Sequence, residues 1–290
     1  MVSTHEQLET TCRDVGLIYI FKYILEILDS KAGKGLVYMK KEYVFGLLAF
    51  FFMSLSTVAI TYAVESETVK EKVIHEYNMD VTGDKKNDHI VLKGIQIDPS
   101  SAYMKKVWAE ITTSANTKYR IDYAPGYEPK IEFADLNHDG VVDLFQSSAT
   151  GGSGGLNNYH LSTLKDGTAS ILPLPQSLNI QGHFENNFKA SIQIPETQFT
   201  KTVDLSNRKK DYIRLGLYQK NGELNEPTEL MIDPVAMYKI INLNGTKEVG
   251  LKAYRQISGA YHADVLGTVT SIWNFENGSW KLKSAKWKQQ

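Results

Sequence analysis

From residue 70 onward the chain alternates. Runs in which apolar and polar residues trade places at every second position recur to the end: Val73–Tyr77, His89–Ile97, Val107–Thr112, Tyr119–Tyr123, Tyr159–Leu164, Lys189–Ile194, Thr200–Leu205, Gly267–Phe275 and Trp280–Trp287. Period two marks a strand with one buried face, because successive side chains point to opposite faces of a sheet. Turn residues separate the runs, and no long stretch has helical periodicity. Asn221-Gly222 and Asn277-Gly278 are two-residue hairpin signals, since the favoured turn needs positive φ at both central positions. The second would join Ser271–Phe275 to Ser279–Lys283. The pattern predicts an all-β fold.

One loop punctuates this pattern more than once. Asp135-Leu136-Asn137-His138-Asp139-Gly140-Val141-Val142-Asp143 carries side-chain oxygens at its first, third, fifth and ninth positions and glycine at the sixth. That is the spacing of a calcium loop, in which alternate residues face one centre and the chain bends sharply at the glycine. Asp135, Asn137, Asp139 and Asp143 would supply side-chain oxygens, Val141 its carbonyl, and water the rest. The twelfth position is Gln146, where an EF-hand has a bidentate glutamate. The flanks, Lys130–Phe133 and Val142–Gln146, alternate like strands. The loop therefore reads as a calcium turn between strands, against the simpler alternative of an Asp/Asn/Gly-rich turn that binds nothing.

The same frame returns at Asp80–Asp88, where Asp80, Thr82, Asp84 and Asp88 would form a weaker site. Lys85 takes the sixth position there, and Lys85 and Lys86 both repel a cation. A third echo, Asn242–Gly250, has no carboxylate at the four positions and reads as a structural turn. The loops start at 80, 135 and 242, and the second interval is about twice the first. A unit without a recognisable loop fits between them, near Phe184–Lys189. Four units of roughly four strands each would cover residues 70–290, which suggests propeller blades, with packed sheets of the same strands as the alternative.

Residues 1–38 do not share this pattern. Gly16–Leu28 could form an apolar helix too short to span a bilayer comfortably. At Met39 a secretory signal begins afresh: Met39-Lys40-Lys41 is a basic start, Val44–Leu55 is nearly all apolar, and Thr61-Tyr62-Ala63 offers small residues for a cut after Ala63. Residues 1–38 thus read as a non-native leader, 39–63 as a signal peptide or membrane anchor, and 64–290 as the exported β domain. Contact with a membrane would come only through residues 43–63, if uncleaved. The cut would remove Cys12, the one cysteine, leaving a thiol-free chain suited to an oxidising exterior.

The net charge of −1 gives no basic excess for nucleic acid. Catalytic patterns are weak, and no catalytic or organic-cofactor residue is assigned. The histidines form neither His-x-His nor His-Glu-x-x-His. His138, inside the loop, is expected to face solvent. His262 and Asp264 flank one residue and read as a surface pair rather than a base with its orienter. Gly151-Gly152-Ser153-Gly154-Gly155 lacks the Gly-Lys-Ser/Thr of a phosphate loop and the elbow that an activated serine needs. It reads as a connector, or as backbone brought close to a ligand or a neighbouring unit. The lysines of Trp280–Lys288 read as the solvated face of a last strand, with anionic wall polymers as a minority reading.

Several stretches together carry a resemblance. They are Asp80–Asp84 with Leu92–Gly94, Gly126–Pro129, Asp135–Asp143, Gly151–Gly155, Asp204–Ser206, Tyr218–Gly222 with Glu226-Pro227, and Ala253–Ile257 with Gly259, Asp264 and Gly267. The chain resembles FG-GAP/VCBS-repeat proteins, and more closely a group exported by Gram-positive, spore-forming bacteria. That resemblance implies calcium-supported blades and an extracellular location, and no established activity.

Two functions follow as expectations. The first is a non-enzymatic exported domain with structural calcium loops that binds an envelope or extracellular partner. The second is a hydrolase acting on an envelope polymer, whose carboxylates would need a cleft and a defined separation. Amino-terminal sequencing of the expressed protein tests the export reading. A mature start near Val64 is the expected outcome, and an intact Met1 would remove the signal.

Overall fold

The computed structural model describes residues 70–243 and 248–290. The leader and the signal or anchor expected within residues 1–63 lie outside the described residues. Among the described residues the all-β expectation holds: sixteen strands are joined by turns, short 3-10 segments and one short helix, α1 (Lys209–Arg214).

The strands run as successive antiparallel meanders. The first is β1 (Lys72–Met79), β2 (Asp88–Gln96), β3 (Tyr103–Thr112) and β4 (Lys118–Tyr123). The second is β5 (Gly126–Ala134), β6 (Asp143–Ala149), β7 (Asn157–Thr163) and β8 (Ser170–Leu172). Two pairs, Tyr103 with Tyr127 and Met104 with Gly126, join them into one eight-stranded sheet. The third has three strands, β9 (Gln181–Glu185), β10 (Lys189–Ile194) and β11 (Phe199–Asp204). The last sheet holds β12 (Met231–Ile232), β13 (Met237–Asn242), β14 (Val249–Ser258), β15 (Val265–Glu276) and β16 (Ser279–Gln289). The two oxygen-rich loops and the third echo each span the first-to-second strand connection of a meander, β1–β2, β5–β6 and β13–β14. The unit inferred without such a loop is the third meander, which turns tightly through Asn187 and Phe188 at positive φ.

Two hydrophobic cores separate these layers. Val81, Ile90, Leu92, Val107, Ile111 and Ile121 of the first meander meet Ile131, Leu144 and Leu164 of the second. Leu136, Phe145 and Leu161 of the second meander join Phe184 and Ile192 of the third and Leu251, Val269 and Trp273 of the fourth. Strand β6 serves both cores: Leu144 points to one and Phe145 to the other, and each is 0% exposed. A strand buried on both faces loses its polar alternation. Full burial of Phe145 is worth about 1.5–3 kcal/mol.

The fourth meander is the hub of the second core. Tyr238 N–H donates to the Tyr159 hydroxyl at 2.9 Å, and their rings meet edge to face at 5.1 Å. Asn157 Nδ2 donates to the Ala236 carbonyl at 2.9 Å. On the other side Arg255 Nη1 reaches the Leu178 carbonyl at 2.8 Å, and Leu230 N–H the Gly182 carbonyl at 2.9 Å. The second meander therefore bonds directly to the fourth.

Of the two hairpin signals, Asn277-Gly278 joins β15 to β16 as expected, with φ of 51° and 77°. Asn221-Gly222 does not join two strands. Its turn is closed by an isolated bridge between Tyr218 and Leu224, where Tyr218 is anchored through its hydroxyl to the Glu185 and Lys189 carbonyls.

A polar seam crosses the face of β6 and β7. Gln146 and His160 present buried polar atoms with no partner within the protein, the Tyr123 hydroxyl lies beside that of Ser162, and Tyr123 packs edge to face on His160 at 5.1 Å. Burial pushes the His160 imidazole below its ordinary value. The folded protein thus resists a proton that the unfolded chain accepts near pH 6.5. Stability present above that pH should fall as the solution is acidified below it. Urea midpoints at pH 7.5 and 5.5 should differ in the parent, and His160→Gln should narrow that difference.

Candidate functional site

The two oxygen-rich loops share one internal scaffold. At the second position Val81 and Leu136 are 0% exposed. At the ninth, Asp88 and Asp143 are 0% exposed, and each turns Oδ2 back onto the N–H groups of positions two and three. Those bonds are 3.0 and 3.2 Å from Val81 and Thr82 to Asp88, and 2.9 and 3.2 Å from Leu136 and Asn137 to Asp143. The first-position carboxylates accept from the sixth-position N–H, Lys85 to Asp80 at 2.8 Å and Gly140 to Asp135 at 2.9 Å. Positions four and six have positive φ in both: Gly83 and Lys85, His138 and Gly140. Lys85 adopts the bend although a left-handed residue costs about 1–2 kcal/mol.

The loops also touch. A Cβ at Gly83 would lie 2.8 Å from Cγ2 of Val141, so the glycine of one loop makes room for the seventh residue of the other.

Within the second loop, Asp139 N–H donates to Asp135 Oδ1 at 3.0 Å and to Asn137 Oδ1 at 3.1 Å. Val141 N–H donates to Asp139 Oδ1 at 2.9 Å, and Asn137 Nδ2 to Asp139 Oδ2 at 2.9 Å. Asp135, Asn137 and Asp139 are thus brought together as acceptors of the loop's own donors. Asp143 stands apart beneath them as a clamp. Burial pushes its carboxyl up to about 6, against the pull of the Leu136 and Asn137 N–H groups and of the Thr163 hydroxyl. Among the described residues no three His, Cys, Asp or Glu side chains are arranged as a metal centre. A carboxylate or amide oxygen keeps a second lone pair after accepting one N–H, so Asp135, Asn137 and Asp139 fit a calcium ion better than Asp143 does. In the first loop Asp88 accepts four donors, from Val81, Thr82 (N–H and hydroxyl) and Ser114, and Asp84 is bonded to the Ser114 hydroxyl and the Lys86 N–H.

Three partners in this region are absent from the sequence reading. Lys165 Nζ bonds the Asp139 carbonyl at 3.0 Å and lies 3.5 Å from Asp139 Oδ2, so a fixed ammonium already faces the loop. His138 does not face solvent: its Nε2 meets the Val249 carbonyl at 2.8 Å and ties the loop to the fourth meander. The His262–Asp264 pair does not form. His262 Nδ1 lies 3.0 Å from Asp233 Oδ1, while Asp264 holds Arg208 Nε at 2.7 Å and the Tyr212 hydroxyl at 2.5 Å. Nothing in the spacing links 138 to 249, or 233 to 262. The glycine run is an exposed connector between β6 and β7, with Gly151 pressed against the Tyr127 ring.

Residues 178–288 match the model of a family described as the YybI C-terminal domain. The chain is 26% identical over 237 residues to the uncharacterized protein YybI of Bacillus subtilis (strain 168), covering 77% of this chain and 88% of that one. Among solved structures it is similar to Bacillus licheniformis rhamnogalacturonan lyase PL11, at 15% identity and a TM-score of 0.33, over 75% of this chain and 34% of the lyase. Rhamnogalacturonan lyase YesW is similar at 18% identity and a TM-score of 0.34, over 76% of this chain and 35% of that one. The chain spans about a third of the length of those lyases. TM-scores of that size carry no argument about its activity. The FG-GAP/VCBS resemblance is corrected by the sequence matches: the family model that fits residues 178–288 is the YybI C-terminal one, and the curated relative is YybI. The physical reason lies in the loop. A nine-residue Asp/Asn/Gly turn that satisfies its own N–H groups is a local solution open to any pair of strands.

The contact between the loops sets a test. Gly140 has open space around its Cβ position, whereas Gly83 does not, and both have positive φ. Gly140→Ala should cost about 1–2 kcal/mol for the strained backbone alone. Gly83→Ala should cost about 1–3 kcal/mol more, through overpacking against Val141. Urea denaturation of both variants measures the difference.

Proposed function

We propose that this chain is a non-enzymatic exported domain that binds an envelope or extracellular partner, with calcium stiffening the Asp135–Asp143 loop. The observation that carries the reading is that loop's position. It is packed against the Asp80–Asp88 loop through Val141 and Gly83, and tied to the fourth meander through His138 and Val249. A cation held there would fix three meanders relative to one another. Asp135, Asn137 and Asp139 would hold it, with the Val141 carbonyl as a further oxygen. Asp143 would keep the loop bent from below. The Asp80, Thr82, Asp84 and Asp88 set is the weaker site, because Lys85 and Lys86 stand in it and Asp88 is already bonded to four donors. Export rests on the Met39–Ala63 sequence. Among the described residues no helix is long and apolar enough to cross a membrane.

The repeated units take the packed-sheet form in this proposal. A ring of blades in chain order would set the second unit beside the third, and the direct bonds between the second and fourth favour stacked sheets.

A second reading, hydrolysis of an envelope polymer, is favoured by one observation. His262 is 63% exposed and its Nδ1 lies 3.0 Å from Oδ1 of Asp233, which is 8% exposed. A buried carboxylate beside an exposed imidazole is a pairing that a general base can use.

Thermal melting of the full chain in calcium and in chelator tests the metal. A site without the bidentate twelfth residue should bind at about 10⁻⁴–10⁻³ M. At tenfold excess the stabilisation is about 1.4 kcal/mol, a shift of a few degrees. Asp139→Ala should abolish most of it and Asp84→Ala less. Lys165→Gln should enlarge it, because the competing ammonium is gone. No shift in the parent, or an equal shift in Asp139→Ala, would leave the loop as a turn only.

A further inference from the structure

The outward face of the fourth sheet is basic. Six lysines, Lys239, Lys252, Lys281, Lys283, Lys286 and Lys288, stand on its described strands, in a chain whose net charge is −1. Strand β16 shows how the lysines come to share a face. Trp280, Leu282, Ala285 and Trp287 all pack on the core, although 282 and 285 are out of phase for a regular strand. A bulge, where the register with β15 shifts between Ile272 and Trp273, absorbs the extra residue. Lys281, Lys283, Lys286 and Lys288 are consequently all exposed on the other side.

Lys239 of β13 and Lys252 of β14 extend this face across the sheet. They are directly opposite each other in register, and both ammoniums lean on the Tyr254 ring, at 5.8 and 5.1 Å from its centroid. Like charges placed opposite each other across a strand pair destabilise a sheet. Protection of an edge against unwanted pairing accounts for lysines on β16. It does not account for Lys252, because β14 lies inside the sheet. Beside Lys283 and Lys286 runs a groove lined by Asn242, Asn274 and Ser284 together with the apolar Ile241, Leu243 and Ile272. Of the acids lining it, Glu276 is already engaged by Lys283 and by Asn274 Nδ2.

We propose that this face binds a linear polyol chain linked by phosphodiesters. The inference rests on the reading of the chain as a partner-binding domain and names the partner's chemistry. Ammonium point charges suit phosphates, whereas carboxylates are favoured by the planar fork of arginine. No arginine serves this face: Arg255 is turned to the Asp233 and Leu178 carbonyls. Nucleic acid would need an open aromatic for its bases, and the Tyr254 ring is occupied by two lysines. Hydroxyl groups of a polyol match the amide and hydroxyl groups in this lining, and its carbon backbone the apolar side chains of Ile241 and Ile272. Lysines about 7 Å apart along β16, and separated from that of β14 by the single strand β15 or about 10 Å, suit an extended chain lying across the sheet.

The test is binding of the full chain, in chelator, to a fluorescent poly(glycerol phosphate) decamer. A polygalacturonate oligomer and single-stranded DNA of similar charge serve as comparisons. The decamer should bind best, with affinity falling steeply as salt rises. K239Q/K286Q/K288Q should weaken it at least tenfold with an unchanged melting temperature. K105Q/K106Q/K118Q, which removes three exposed lysines of the first meander, should leave it unchanged. Failure of the parent to bind, equal weakening by the two triple variants, or equal or tighter binding of polygalacturonate or DNA would each overturn the proposal. Parallel sedimentation with envelope fractions separates the two readings. Sedimentation without decamer binding defeats only the polymer, whereas loss of both defeats the binding domain as well.

Discussion

Two buried aspartates hold the loops from which the first two meanders depart. Asp88 and Asp143 each place one oxygen beneath two successive N–H groups of a bent backbone. Buried backbone donors must find acceptors, and a tight loop has no ladder to supply them. The bent backbone then turns the second residue inward: Val81 enters the core between the first two meanders, and Leu136 the core shared by the second, third and fourth. Asp88 accepts four donors, while Asp143 accepts from Leu136 and Asn137 and lies beside the Thr163 hydroxyl. Burial raises the Asp143 carboxyl against these donors, since a buried charge favours its neutral form.

The sequence made the strands legible where one face of a sheet meets solvent. Lys189–Ile194 coincides with β10, and the Asn277-Gly278 hairpin falls where its φ requirement places it. Strand β6 was weaker as a signal because both its faces are buried, and its polar residues Gln146, Ser147 and Ser148 lie inside rather than outside. Asn221-Gly222 misled for a different reason. The dipeptide specifies a local turn, but the residues on either side had no partner strand to extend it, and the buried Tyr218 hydroxyl took two carbonyls of the third meander instead.

The loops were legible as loops and less so as sites. Their spacing encodes the positive-φ bends and the self-bonding, because those depend on residues within nine positions. Lys165, Val249 and Gly83 are brought to the second loop by strand pairing and sheet stacking, across 26, 111 and an intermediate number of residues, and no local rule reports them. The same holds for His262, which passes over Asp264 two residues away. Asp264 is drawn inward by the Arg208 guanidinium and the Tyr212 hydroxyl, and that leaves His262 to the more distant Asp233.

Strand β16 shows how a core requirement can create a surface. Trp280, Leu282, Ala285 and Trp287 must all face inward, and regular alternation would turn the last two outward. Exposing an indole that otherwise packs on the core would forfeit on the order of 2 kcal/mol of apolar burial, more than a local irregularity in one ladder costs. The bulge is therefore the favoured solution, and it fixes which positions of the strand point to solvent. Packing does not dictate what stands there: serine, threonine or glutamate would satisfy the fold as well as lysine. The choice of lysine at 281, 283, 286 and 288, repeated at 239 and 252 on two other strands, gathers like charge on one face, which Glu276 offsets at Lys283 and the Tyr254 ring at Lys239 and Lys252. A surface that repels itself in this way is stabilised when an anion lies across it.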